Sequence, residues 1–118
     1  MLIYRIEHKD HGEGPYKNGN FGKKLCNDHF NKNSHPCFEE DGINQHPKFI
    51  GVQVAGFDSE KKMVAWFKGY GKRLKRNGYK IFIYKVDKSD VIFGKSGRQL
   101  AFIKPMFDLP TKKPINFE

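Results

Sequence analysis

The chain is poor in the features that mark membrane, secreted and zinc-finger proteins. It holds only two cysteines, Cys26 and Cys37, in 118 residues. No stretch approaches the run of about 18 apolar residues needed to cross a bilayer. The N-terminus lacks the basic-then-apolar pattern of a signal peptide. The chain is therefore expected to be soluble and to stay in the compartment where it is made, with both cysteines as free thiols in a reducing cytosol. Acidic residues are scarce: 13 Asp and Glu stand against 22 Lys and Arg, for a formal net charge of +9. No close pair of carboxylates falls in a pocket-forming context, so acid–base machinery is not in view. The sequence argues for no catalytic residue, no cofactor and no metal; binding is the better expectation.

Aromatic residues are plentiful. They make up 14% of the chain, with eleven Phe among them and a single Trp, Trp66. A chain of this length is expected to form one domain with one modest core. That core must be ring-rich, or some rings must serve a binding surface. The basic excess, with a pI near 9.6, attracts polyanions such as nucleic acid, nucleotides or acidic membrane.

Leu2 to Glu7 alternates as a strand, with Leu2, Tyr4 and Ile6 on one face and Ile3, Arg5 and Glu7 on the other. Its bland reading is an edge strand carrying a solvated Arg–Glu pair. The glycine-rich turn Gly12-Glu13-Gly14-Pro15-Tyr16 follows. Residues 17–48 are polar and irregular, with a short helix expected over Phe21 to Phe30. A second strand is expected from Phe49 to Ala55. Asp58 or Ser59 then caps a helix whose apolar face is Met63, Trp66, Phe67, Tyr70 and Leu74, weakened at Gly69 and Gly71 and ended by Asn77-Gly78. Three strands follow as an antiparallel meander at Tyr79–Val86, Val91–Phe93 and Arg98–Ile103. The Pro-containing tail, residues 104–118, is expected to be extended and to pack on the body or on a neighbouring chain. The fold class is α+β: a domain over residues 1–103 with an antiparallel sheet, one principal amphipathic helix and a short second helix.

Several constellations suggest chemistry and then fail on spacing. Cys26, His29, His35 and Cys37, with His46 nearby, offer zinc-ligand types but match no common finger frame. Gly94-Lys95-Ser96 ends like a P-loop, yet position 89 is Ser and no helix follows. Gly69-Tyr70-Gly71 lies inside a helix and lacks the third glycine of a dinucleotide fingerprint. The acid-free basic run Lys68, Lys72, Arg73, Lys75, Arg76 and Lys80 reads equally as a solvated helix face or a phosphate-contacting rim. Trp66, at the helix centre, reads as core.

The ordered set YRIE (Tyr4–Glu7), GEGPY (Gly12–Tyr16), Gly56-Phe57, Trp66-Phe67, NGYKIFIYKV (Asn77–Val86) and RQLAF (Arg98–Phe102) resembles the type-one Thoeris anti-defence proteins, small phage "sponges" of nucleotide immune signals. This resemblance implies binding without cleavage of cyclic ADP-ribose isomers made by bacterial TIR-domain enzymes, in the host bacterial cytoplasm. It also implies a homo-oligomer built on dimers, with cyclic oligonucleotides as further ligands of some members. It carries Tyr4, Arg5, Tyr16, Phe57, Arg98 and Gln99 over as ligand-binding candidates. Arginine forks suit a pyrophosphate, Gln and Glu side chains suit riboses, and an aromatic ring suits the base. Two rivals stand beside this reading. The basic charge suggests a phage nucleic-acid-binding protein, and the early Tyr-Arg strand an ADP-ribosyltransferase-like enzyme, which would need a catalytic Glu in a cleft.

Overall fold

The computed structural model describes residues 1–17, 19–31, 33–43 and 53–118. The first strand, β1 (Leu2–His8), pairs antiparallel along its whole length with β3 (Tyr79–Lys85), from Leu2 opposite Lys85 to His8 opposite Tyr79. The other edge of β3 takes β6 (Thr111–Lys113), from the C-terminal tail. A second three-stranded antiparallel sheet has β5 (Leu100–Phe102) between β2 (Val54–Gly56) and β4 (Val91–Phe93). An antiparallel bridge between Tyr4 and Phe57 joins the two sheets, with N···O distances of 2.8 and 2.9 Å. The α+β class with antiparallel sheets is as expected.

The expected meander is divided between these sheets. Both edges of β3 are occupied, by β1 and β6, so β4 has no edge of β3 to pair with. A 3-10 turn at Lys88–Asp90, capped by the Asp87 carboxylate accepting from Ser89 N at 3.0 Å, redirects the chain to the second sheet. The tail does pack on the body: Thr111–Lys113 adds a strand, and Ile115 is buried in the core. The second expected strand is seen as Val54–Gly56, and its predicted start at residues 49–52 lies outside the described residues, as does His46.

Three helices are described: α1 (Gly19–Asp28), α2 (Glu60–Trp66) and α3 (Gly71–Arg76). The principal helix expected from the periodicity is broken at its weak point into α2 and α3. Gly69 adopts φ +89° there, a left-handed conformation that ends α2 and that glycine adopts without strain. Ser59 caps α2, its hydroxyl accepting from Lys62 N at 3.2 Å. The apolar face survives the break: Met63, Trp66, Phe67 and Leu74 are buried, and Tyr70 is half-buried.

The core has two parts, one on each face of β1. On the helical side Ile6 packs with Leu25, Met63, Phe67, Leu74 and Ile81. Between the sheets Ile3 packs with Phe82, Tyr84, Leu100 and Phe102. The alternation predicted for β1 therefore holds, but the face carrying Arg5 and Glu7 is interior rather than solvated. Glu7 is 2% exposed. Among the described residues, no helix is long and apolar enough to cross a membrane.

Candidate functional site

A cleft of about 900 Å³ opens beside the helical core. The turn at Pro15–Lys17 delivers Tyr16 to it, α1 delivers Cys26, the segment after α1 delivers His29, Phe30 and His35, and α2 delivers Trp66. Cys37, Glu39 and Glu40 also line it.

The polar groups of this wall form one connected set. Trp66 Nε1 donates to Tyr16 Oη at 2.7 Å, and Tyr16 Oη lies 2.5 Å from His29 Nδ1. The indole N–H can only donate, so the phenol proton goes to His29 Nδ1, leaving the His29 proton on Nε2. His35 Nε2 lies 2.8 Å from the Trp66 carbonyl, which can only accept, so His35 is also protonated at Nε2. Its Nδ1 is then free to accept from Ser34 Oγ at 2.9 Å. The His29 and His35 rings stack, with centroids 3.8 Å apart and planes 13° from parallel.

Burial, and then the neighbouring His35, lower the His29 pKa from 6.5 to about 4. Burial also raises the Tyr16 pKa, so at neutral pH both the imidazole and the phenol are uncharged. At one side Tyr70 meets His29 edge-on at 5.3 Å, hydrogen-bonds the Asp28 carboxylate and lies under the Arg73 guanidinium at 5.1 Å. The Tyr70 bond, with Lys24 and Arg73 nearby, lowers the Asp28 pKa.

The wall at residues 36–41 is held from behind. Gln99 Nε2 donates to the Pro36 carbonyl at 2.5 Å and to Asp41 Oδ2 at 3.2 Å. Asp41, itself 2% exposed, also accepts from Ser96 N at 2.7 Å and Ser96 Oγ at 2.9 Å. Gly94 leaves the space: a Cβ there would fall 2.1 Å from Asp41 Oδ2.

Of the six residues expected to bind ligand, Tyr16 lines the cleft. Gln99 is buried behind its wall. Tyr4 and Phe57 make the bridge between the sheets, and the Phe57 ring packs on Trp66 at 5.6 Å. Arg5 directs Nε to Glu7 at 2.8 Å and Nη1 to the Ala55 carbonyl at 2.7 Å, with Gly14 against its guanidinium. Arg98 is exposed beside a crevice of about 10 Å³, at the lower limit for one water.

His29, His35 and Trp66 line the cleft without a strong sequence signal. The signals for them are a His-rich segment whose spacing fits no zinc frame, and a tryptophan on an apolar helix face. Among the described residues no three His, Cys, Asp or Glu side chains are grouped to hold a metal. Cys26 and Cys37 are free and exposed.

A sequence model of the bacteriophage T4 Y00F protein family matches residues 1–115. No curated protein and no solved structure matches the chain.

Proposed function

The chain belongs to the bacteriophage T4 Y00F protein family, and on that premise we propose that it is a phage protein that captures a cyclic ADP-ribose isomer and holds it uncleaved. The observation that carries this reading is the ring-walled cleft of about 900 Å³, within the roughly 300–1,000 Å³ range of small-molecule sites. The resemblance to type-one Thoeris anti-defence proteins supports the choice of ligand. Uncharged imidazole, indole and phenol faces suit a nucleobase, and the Glu39 and Glu40 carboxylates suit ribose hydroxyls. The pyrophosphate is then directed to the Tyr70 side of the cleft, where Arg73 and Lys24 supply positive charge. Capture takes place in the host cytoplasm. A homo-oligomer built on dimers covers the open side of the cleft, where Phe30 stands 92% exposed.

Titration of a fixed amount of TIR-generated signal tests the proposal. Depletion should saturate at a fixed ratio per chain, and denaturation should return the intact cyclic molecule. Complete clearance by a tenth of that ratio, with a linear ADP-ribose product, would instead establish turnover. One observation favours an ADP-ribosyltransferase-like second reading: Glu39 and Glu40 both line the cleft. Incubation with NAD distinguishes it, because a transferase releases nicotinamide and a sponge does not.

A further inference from the structure

We propose that α3 presents a sequence-independent docking ridge for the phosphate backbone of single-stranded nucleic acid. Lys68, Lys72, Arg73, Lys75, Arg76 and Lys80 fall within thirteen consecutive positions that contain no Asp or Glu. All but Arg73 are exposed. On the helix, Lys72, Lys75 and Arg76 stand at i, i+3 and i+4, which sets three cations along one ridge. Gly71 and Leu74 point inward and fix that ridge against the body.

Helix stability accounts for only part of this arrangement: Arg73, Lys75 and Arg76 lie in the last turn, where the dipole favours cations. Like charges at these spacings repel, and Lys72 sits in the first turn, where the helix dipole disfavours a cation. The nearby Glu118 approaches Lys72 at 3.5 Å, but both side chains are largely solvated, 78% and 86% exposed, so that pair is screened. The other nearby carboxylate, Asp28, is engaged by Tyr70 and Lys24. A polyanion would relieve the repulsion and release its own counterions on binding.

Single strands are favoured because a stacking surface adjoins the ridge. The Tyr70 ring is half-exposed and carries the Arg73 guanidinium 5.1 Å above its centroid. Aromatic and guanidinium planes together accept an unstacked base without reading its identity. The ridge cations Lys72, Lys75 and Arg76 are not part of the cleft lining, although Tyr70 and Arg73 also flank the pyrophosphate side of the proposed ligand site.

Fluorescence anisotropy with a labelled 20-nucleotide oligo(dT) provides the test. Contacts with about three phosphates should weaken binding roughly tenfold or more between 50 and 200 mM salt. The K75E/R76E variant should bind at least tenfold more weakly. K85E/K88E makes the same change in net charge at the far end of β3 and should stay within twofold. If K75E/R76E does not fold by circular dichroism, K75Q/R76Q replaces it and should still lose at least threefold. No binding at 100 mM salt, equal losses in the two double variants, or binding to phosphatidylserine vesicles without binding to oligo(dT) would each overturn the proposal.

Discussion

Two polar clusters in this protein use similar side chains for opposite ends. Around Glu7, the Arg5 guanidinium and the Lys104 ammonium both lie 2.8 Å from a single carboxylate oxygen, and the Tyr84 hydroxyl donates to that oxygen at 2.7 Å. Lys104 also donates to the Gly12 carbonyl at 3.1 Å, tying the glycine-rich turn to the tail. Burial and the adjacent carboxylate raise the Tyr84 pKa. The Glu7 carboxylate is enclosed and shared by the two cations, of which Lys104 is about one-third exposed.

Around His29 the imidazole and the Tyr16 phenol are uncharged, joined by a hydrogen bond, and bordered by an open cleft. Charges removed from water must be paired with other charges, and pairing leaves them little capacity for a ligand. Neutral rings lose little on desolvation and keep their faces available. The first cluster therefore serves the fold, while the second keeps ring faces open to the cleft.

The largest expected effect breaks the first cluster alone. Glu7→Gln leaves Arg5 and Lys104 without a buried counter-charge and should lower unfolding free energy by about 3 kcal/mol in urea denaturation. Ligand affinity per folded molecule should stay unchanged. A parallel loss of affinity would mean that the two clusters are coupled.

Gln99→Leu should affect both properties. It strands the Pro36 carbonyl and one bond of Asp41, at about 2 kcal/mol of stability, and frees the wall at residues 36–41. Calorimetry should show weaker binding by the folded variant, and unchanged affinity would show that this wall is not needed.

Tyr16→Phe targets the second cluster. It leaves Trp66 Nε1 and His29 Nδ1 without their shared partner, at about 1.5 kcal/mol. Calorimetry on the folded variant should show weaker binding, a readout separate from that loss of stability.

The His29 shift predicts a smaller effect with a definite sign. The unfolded imidazole titrates near 6.5 and the folded one at about 4. Between these values the unfolded chain holds the extra proton, so stability falls as pH drops through that window and levels off below it. The loss from pH 7 to pH 5 should be on the order of 1 kcal/mol. His29→Gln should flatten the profile. At the small end, Arg98→Ala should change stability by less than about 0.5 kcal/mol. A clear loss of ligand affinity in that variant would move the site away from the cleft.

Much of the framework was legible in the sequence because it depends on local periodicity. The alternation of β1, the Ser59 cap and the apolar face running from Met63 to Leu74 all follow from side-chain direction over neighbouring residues. The break at Gly69 was legible only as a weak point, because a helical glycine and a left-handed one have the same sequence signature. The division of the meander was not legible, since it depends on β6 reaching β3 from nearly thirty positions away in the chain.

The cleft shows the same boundary. Sequence alone determined that the chain is basic and aromatic-rich, with one apolar helical face and a strand placing Arg5 beside Glu7. Only the tertiary structure decided what those residues do. It enclosed Glu7, set the Arg5 fork against Glu7 and Ala55, placed Gln99 behind a wall, and stacked His29 on His35 beside Trp66. The physical reason is that a side chain's desolvation and partners come from segments distant in sequence. Trp66 meets Tyr16 across fifty positions and Gln99 meets Pro36 across sixty-three.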